Sequence, residues 1–269
     1  MNPAGLELVP GYRAGDAGCT VASLPGGLHN RVSRVDTPAG SFVLHRFAAA
    51  QLSSQLGVDR QRQLALQAAA AAAGLAPAVL AYCAQRGVAV MAYQTGAIWQ
   101  AADWDDAERL AELCATLRAL HRLPVPHSLR GTPAFDALAA ASSYAHLLQQ
   151  QPGQSPAGIA AMLDAIASDC AAMRPAQRAA AIVHCDLHSG NILRTPGVLL
   201  LDWEYAQLGD PLLDPAAMIA YQPALARHAQ LLLQHCGLAQ HASVDELLAL
   251  SRVFAALNSL WRRVAAIER

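Results

Sequence analysis

Polar residues that could support catalysis lie between and after two short apolar runs in the last third of the chain. The sequence reads H-x-D-x-x-x-x-N from His184 to Asn191, and Asp202 directly follows the apolar run 198–201. Side chains that leave strands at their ends can converge on one point, where the oxygens of Asn191 and Asp202 suit Mg²⁺. Asp186, kept off the metal, could orient or deprotonate a hydroxyl group. This set of groups predicts phosphoryl transfer to a hydroxyl.

A plainer interpretation is that these residues form turns, because Asp, Asn, Ser and Gly are favoured in loops. Any one of them fits that interpretation. The whole set, flanked by apolar runs at 181–183 and 198–201, favours an active site instead.

The elements that must position these residues fall into two parts. The first alternates apolar runs with turn residues and predicts an antiparallel sheet with one helix. Its strands are predicted at 20–24, 32–35, 41–47, 77–82 and 88–93, and its helix at 57–73. The second part is mainly helical, with helices predicted at 103–123, 135–150, 157–173, 223–236 and 244–267. Asp59 or Gly57 would begin the first helix, and Gly74 stands where a C-cap belongs.

Composition excludes several classes of function. The 269 residues carry a formal net charge of −1, and 54% of them are hydrophobic. Such a chain is too apolar for disorder. It also has no charge excess with which to bind nucleic acid or an anionic membrane non-specifically. All 19 basic residues are arginine, so any chemistry that needs a lysine side chain is excluded.

Cysteine usage and hydropathy predict the compartment. The six cysteines are scattered without a CxxC pair, which favours a cytoplasmic protein with free thiols over a zinc site. Residues 1–12 lack the basic and apolar regions of a signal peptide. The most apolar stretch, 64–84, is alanine-rich and interrupted by glutamine, glycine and proline, so no membrane span is expected. The sequence leaves the oligomeric state open.

The catalytic pattern resembles that of the aminoglycoside phosphotransferase and choline kinase superfamily, with bacterial thiamine kinases and choline kinases the most similar groups. The resemblance rests on residues 184–191 together with Asp202-Trp203-Glu204-Tyr205-Ala206, while the DFG and APE motifs of protein kinases are absent. Weaker matches run through the rest of the chain, at 24–30, 74–77, 91–96, 117–123 and 209–214.

The resemblance implies a two-lobed, protein-kinase-like α+β fold that binds ATP and Mg²⁺ in the cleft. Residues 1–92 would form an antiparallel N-terminal lobe with one helix, 93–98 a hinge, and 99–269 a mainly helical lobe with the acceptor pocket. Motif by motif, it makes Asp186 the catalytic base, Asn191 and Asp202 the metal ligands, Gly26, Gly27, Met91 and Tyr93 nucleotide contacts, Asp214 and His184 structural residues, and His188 a loop or substrate residue.

One expected feature of the superfamily is missing. A basic residue on the third strand, often lysine, should hold the ATP phosphates, and a glutamate on the helix should position it. Here the strand offers His45 and Arg46, and Gln63 lies near the expected glutamate. Either His45 or Arg46 takes over the phosphates with help from Gln63, or the protein is a degenerate nucleotide binder with weak or no turnover.

The acceptor is expected to be a small-molecule alcohol, because no peptide-binding motif is visible. His188, Trp203, Glu204 and Trp261 are candidates for its pocket, together with Tyr205 and Tyr221. Aromatic faces beside a carboxylate suit a cation, which favours thiamine first, then choline or ethanolamine, and then amino sugars or aminoglycosides. The simpler alternative is that Tyr221 and Trp261 are ordinary core aromatics.

Overall fold

The structure, a computed structural model, describes residues 4–24, 30–173 and 178–267. Its N-terminal part contains five strands: β1 (Thr20–Leu24), β2 (Arg31–Thr37), β3 (Gly40–Arg46), β4 (Val79–Cys83) and β5 (Val88–Ala92). They form one antiparallel sheet, as the sequence predicts, and the structure gives the strand order β1-β2-β3-β5-β4. The predicted nucleotide-covering loop with Gly26 and Gly27 lies outside the described residues.

Two helices, rather than the single helix predicted, connect β3 to β4. They are α1 (Ala50–Gln55) and α2 (Arg60–Ala72). Gly57 separates them because its φ of +75° is left-handed and ends α1 instead of beginning the next helix. Asp59 begins α2 by accepting hydrogen bonds from the backbone N–H groups of Gln61 and Arg62, at 2.9 and 3.0 Å.

The C-terminal part is mainly helical, which confirms the α+β fold class. Its helices are α3 (Ala107–His121), α4 (Ala137–Gln149), α5 (Pro156–Ala172), α6 (Leu213–Tyr221), α7 (Ala229–His235) and α8 (Val244–Ala265). Helix α8 packs against α4, α5 and α6 and forms the centre of this part. None of the helices in the described residues is long and apolar enough to cross a membrane.

Helix α6 was not predicted from the sequence. Every residue from Leu213 to Ile219 is buried, so the polar side that gives an amphipathic pattern is missing. Pro215 also argues against a helix in the sequence, yet it lies in the first turn, where no backbone N–H is needed.

In the described residues, five short strands lie outside the N-terminal sheet, and four of them flank the polar residues 184–191 and 202. They are β6 (Ala97–Ile98), β7 (Ala181–Val183), β8 (Ile192–Arg194), β9 (Val198–Leu200) and β10 (Gln207–Gly209). β7 pairs with β10, and β6, β8 and β9 form a second small sheet. Gly96 allows the chain to reach β8, since a Cβ there would lie 2.3 Å from the carbonyl oxygen of Arg194. The boundaries assigned to the two lobes and the hinge remain predictions.

Candidate active site

A cavity of about 920 Å³ lies between the N-terminal sheet and the helical part. Residues of both parts line it, so it has the position of the expected cleft. Of the site residues predicted from the sequence, the lining includes His45, Met91, Tyr93, Asp186, His188, Asn191, Asp202, Glu204 and Trp261. The structure therefore brings together residues that are far apart in the chain.

Unusual backbone conformations position two of the polar side chains. Among the described residues other than glycine, Cys185 and Asp202 are the ones with positive φ, at 63° and 55°. Cys185 follows β7 and immediately precedes Asp186, while Asp202 follows β9. Such conformations are costly for residues with a Cβ, and they concentrate where a side chain must be aimed at a functional site. Here they lie at the two turns that direct the carboxylates of Asp186 and Asp202 towards the cavity.

Two hydrogen bonds hold the carboxylate of Asp186. The hydroxyl of Tyr221, on α6, donates to Oδ1 at 2.5 Å, and the side-chain amide of Asn191 donates to Oδ2 at 2.7 Å. Burial and the nearby charge of Asp186 raise the pKa of Tyr221, so its phenol remains a donor. The carboxylate is thus fixed in orientation at the cavity wall.

The residues predicted to hold Mg²⁺ have the chemistry that this ion requires. The amide nitrogen of Asn191 is occupied by Asp186, which leaves the amide oxygen of Asn191 for a metal. Oδ1 of Asp202 is buried and has no hydrogen-bond partner among the described residues. Burial, with Glu204 and Asp186 close by, raises the pKa of Asp202 well above its usual value. A buried, unpartnered carboxylate among like charges is favourable when a cation binds there.

A buried hydrogen-bond network holds the residues that precede Asp186. Asp214 accepts hydrogen bonds from the backbone N–H groups of His184 and Cys185, both at 2.9 Å, and contacts Nε2 of His121 at 2.8 Å. His184 is itself fully buried, and burial lowers its pKa. Its Nε2 lies 2.8 Å from the carbonyl oxygen of Leu201. The structural roles predicted for Asp214 and His184 agree with these contacts.

Strand β3 presents His45, and not Arg46, to the cavity. Side chains alternate along a strand, so Val43 and His45 share the cavity face. Leu44 lies on the opposite face, in a cluster with Leu6 and other apolar residues of the N-terminal part. By the same alternation, Arg46 shares the face of Leu44. In this arrangement the pleat of the strand turns the side chain of Arg46 away from the cavity, so the role of Arg46 in phosphate binding stays a prediction without support from the cavity lining.

His45 in turn does not provide a positive charge. Burial, followed by the charge of Arg60, lowers the pKa of His45 to about 3. Its Nε2 atom is buried without a hydrogen-bond partner in the described structure. His45 can therefore offer a neutral N–H group to a ligand, but it is not the cation that the sequence led us to expect.

The buried state of His45 predicts a pH-dependent stability. In the unfolded chain its pKa returns to about 6.5, so as the pH falls below 6.5 the unfolded chain takes up a proton that the folded protein does not. Stability present above that pH is then lost as the pH falls towards 3. Between pH 7 and pH 5 the wild-type protein should lose about 2 kcal/mol more free energy of unfolding than His45→Asn.

Urea unfolding of both proteins without ligand, at each pH, measures this difference. The other histidines are present in both proteins, so their contribution cancels. Equal losses would show that His45 titrates in the folded protein as it does in the unfolded chain.

Two further expectations need correction. Trp203 is buried and does not line the cavity; its indole N–H donates to the carbonyl oxygen of Leu200 at 2.8 Å, and its ring packs on His184 at 4.9 Å. It is a core residue, since the turn that aims Asp202 into the cavity points the next side chain inward. Gln63 accepts its hydrogen bond from Arg60, and not from a residue of β3.

The end of the cavity beside Asp186 is aromatic. Trp261 lines it and donates to the hydroxyl of Tyr205 at 2.8 Å, with the two rings perpendicular and 5.8 Å apart. His188 lies 5.4 Å from the ring of Tyr221. Glu204 also lines this region and accepts a hydrogen bond from Asn30 at 2.8 Å. Burial raises the pKa of Glu204, although the bond from Asn30 opposes this shift.

Sequence reasoning missed several lining residues of this end: Phe135, Tyr144, Phe254, Leu257, Asn258 and Arg262. A signal for part of this set was available. Phe254, Leu257, Asn258 and Trp261 have the spacing of one helix face, and a polar asparagine in an otherwise apolar face favours a pocket over a core.

The residues from 20 to 247 match the model of a family described as the phosphotransferase enzyme family, whereas no curated protein sequence matches the chain. Among solved structures, choline kinase LicA from Streptococcus pneumoniae is similar over 93% of this chain and 86% of its own, with 17% identity and a TM-score of 0.76. A choline/ethanolamine kinase family protein from Mesorhizobium loti is 25% identical, with a TM-score of 0.60 and coverage of 97% and 95%. A spectinomycin phosphotransferase in complex with ADP and spectinomycin is 13% identical, with a TM-score of 0.57 and coverage of 93% of each chain.

Proposed function

This chain belongs to the phosphotransferase enzyme family, and from that premise we propose that it transfers the γ-phosphoryl group of ATP to the hydroxyl of a small cationic alcohol. The observation that carries the proposal is the aromatic, acidic end of the cavity directly beside Asp186. A phosphoryl acceptor bound there would place its hydroxyl next to the fixed carboxylate.

The described residues suit the steps of such a transfer. Asp186, held by Tyr221 and Asn191, orients the acceptor hydroxyl and accepts its proton. Asn191 and Asp202 would hold Mg²⁺, which neutralises phosphate charge when it is bound. Met91 on β5 and Tyr93 just after it line the cavity from the N-terminal sheet and supply a surface for the nucleotide base. Catalysis then rests on positioning and on electrostatics.

Aromatic rings and carboxylates support a positively charged acceptor. The faces of Tyr205, Tyr221 and Trp261 attract a cation through their quadrupoles, and Glu204 adds a carboxylate. Besides His45 and His188, the basic side chain of Arg262 lines the cavity, but it is exposed to solvent. The names of the solved neighbours, choline kinase and choline/ethanolamine kinase, agree with this class of acceptor. Thiamine, which the motifs favoured, remains a prediction within the same class.

A panel of acceptors tests the proposal. Purified protein with Mg²⁺ and ATP is offered thiamine, choline, ethanolamine, an amino sugar, spectinomycin and neutral alcohols such as glycerol. We expect phosphorylated product from one of the cationic compounds and none from the neutral alcohols. ATP binding without transfer to any acceptor would favour the degenerate nucleotide binder, and equal turnover of glycerol would contradict the cationic acceptor.

Trp261→Leu provides a variant for the same assay. Removal of a cation–π contact should raise the KM of the preferred acceptor by about 3- to 30-fold, while the KM of ATP stays the same. Trp261→Phe, which keeps an aromatic face, should lie between the two proteins. An unchanged acceptor KM in Trp261→Leu would place the acceptor elsewhere.

We further propose a cytoplasmic location. All six cysteines are free in the structure, which suits a reducing compartment, and ATP is abundant there. Protein found in a periplasmic or extracellular fraction would contradict this location.

A further inference from the structure

The phosphates of ATP need a positive charge from the N-terminal part, and strand β3 does not present one to the cavity. His45 faces the cavity but is neutral, and Arg46 faces away. Another arginine stands at the start of the neighbouring helix: Arg60 is the first residue of α2, directly after its N-cap Asp59.

Aromatic stacking places the guanidinium of Arg60 beside the cavity wall. Its Cζ atom lies 3.6 Å from the centroid of the Phe47 ring. The Phe47 ring in turn lies 4.5 Å from the ring of His45, which lines the cavity. Arg60, Phe47 and His45 thus form a chain of ring contacts that ends at the cavity; Arg60 itself does not line the cavity and reaches it through these two rings. A guanidinium on an aromatic face keeps its edge N–H groups available for ligands.

Polar contacts from both helices hold the same guanidinium. Gln63, one turn along α2, accepts a hydrogen bond from Nη1. The hydroxyl of Ser53 on α1 lies 3.4 Å from Nη2. These contacts involve two of the five N–H donors of an arginine. Gln63 therefore positions Arg60, the role that a helix glutamate was expected to have for a basic residue on the strand.

Arg60 lies on the helix that packs against the predicted metal site. Helix α2 contacts the turn that carries Asp202 and Glu204. Although burial lowers the pKa of Arg60 itself, an arginine in a protein remains charged. A half-buried positive charge thus lies close to the groups that are expected to hold Mg²⁺.

We propose that Arg60 supplies, from helix α2, the positive charge that binds the phosphates of ATP, and that Gln63 is its positioning residue. The inference rests on the proposed function, since it requires ATP in the cavity. It differs from both alternatives that the sequence offered, His45 and Arg46 on the strand. A guanidinium group matches phosphate geometry with paired hydrogen bonds. An arginine on the helix can therefore bind the phosphates as a lysine on the strand would.

Calorimetric binding of ATP and of adenosine to Arg60→Gln tests the inference without any need for turnover. Loss of a charged phosphate contact should weaken ATP binding by about 10- to 100-fold. Adenosine, which lacks phosphates, should bind the variant within about twofold of the wild-type protein. Arg60→Lys keeps a positive charge and should recover part of the ATP affinity. Gln63→Leu should weaken ATP binding less than Arg60→Gln does, because it removes only the positioning contact.

Two further variants separate the outcomes. Arg130→Gln makes the same chemical change at an exposed arginine outside the cavity lining and should bind ATP as the wild-type protein does. Arg46→Gln tests the strand alternative. The inference is overturned if Arg60→Gln binds ATP normally, if it loses ATP and adenosine equally, or if Arg46→Gln shows the larger loss. A wild-type protein that binds no ATP would instead defeat the proposed function.

Discussion

Replacing Asp186 with alanine is expected to lower kcat by about 10²- to 10⁴-fold, the effect of losing a positioned acid–base group. The KM of ATP should change little, because Asp186 faces the acceptor hydroxyl and not the nucleotide. Steady-state kinetics with the preferred acceptor, at saturating ATP, measure the effect. Asp105→Ala, which removes an exposed carboxylate outside the cavity lining, is the matched control.

Tyr221→Phe refines the same prediction. The phenol donates to Oδ1 of Asp186 at 2.5 Å. Removal of this hydroxyl keeps the carboxylate of Asp186 but allows it to rotate. We expect a loss in kcat of about tenfold, smaller than that of Asp186→Ala. A change of less than about threefold in Asp186→Ala would refute the role assigned to Asp186, whatever the effect of Tyr221→Phe.

Asp202→Asn should produce opposite effects on activity and on stability. Loss of a metal ligand should lower turnover by about 10³-fold, since metal electrostatics contribute several kcal/mol to phosphoryl transfer. Without ligands, however, the variant should melt about 2–4 °C above the wild-type protein, because a buried carboxylate without a partner costs stability that a neutral amide does not. Oδ1 of Asp202 is the atom concerned.

Thermal melting with and without Mg²⁺ and ADP checks this prediction. The wild-type protein should gain stability from the pair of ligands, and Asp202→Asn should gain little. Asp202→Ala, which removes the side chain altogether, should also lose the response to Mg²⁺. A variant that Mg²⁺ and ADP stabilise as strongly as the wild-type protein would show that Asp202 does not hold the metal.

Local patterns predicted most of the elements. The strand at 20–24 and the helix start at Asp59 agree with the structure because both depend on near neighbours: a short run followed by Pro25-Gly26-Gly27 in one case and a capping side chain in the other. Helix α6 was missed because its burial on all sides removes the periodic signal. Helix α1 was missed because it is only six residues long and its N-cap residue, Ala49, offers no capping side chain.

The catalytic residues were predicted for a different reason. Asp186, Asn191 and Asp202 have side chains that are costly beside buried strands unless they are needed, so their types and spacing indicate chemistry even without contacts. Trp203 shows the limit of this reasoning. It adjoins a metal-site residue in sequence, yet the left-handed turn at Asp202 directs it into the core.

The residue types alone define the available chemistry: an Asp-Asn-Asp set that suits phosphoryl transfer, and arginine as the only cation besides histidine. Which of these residues reach the cavity depends on the folded chain. The pleat of β3 turned Arg46 away, burial neutralised His45, and the packing of α2 against the turn after Asp202 brought Arg60 close to the site. These outcomes depend on contacts between residues distant in the chain and on the solvent that folding removes, and neither is encoded in a local pattern.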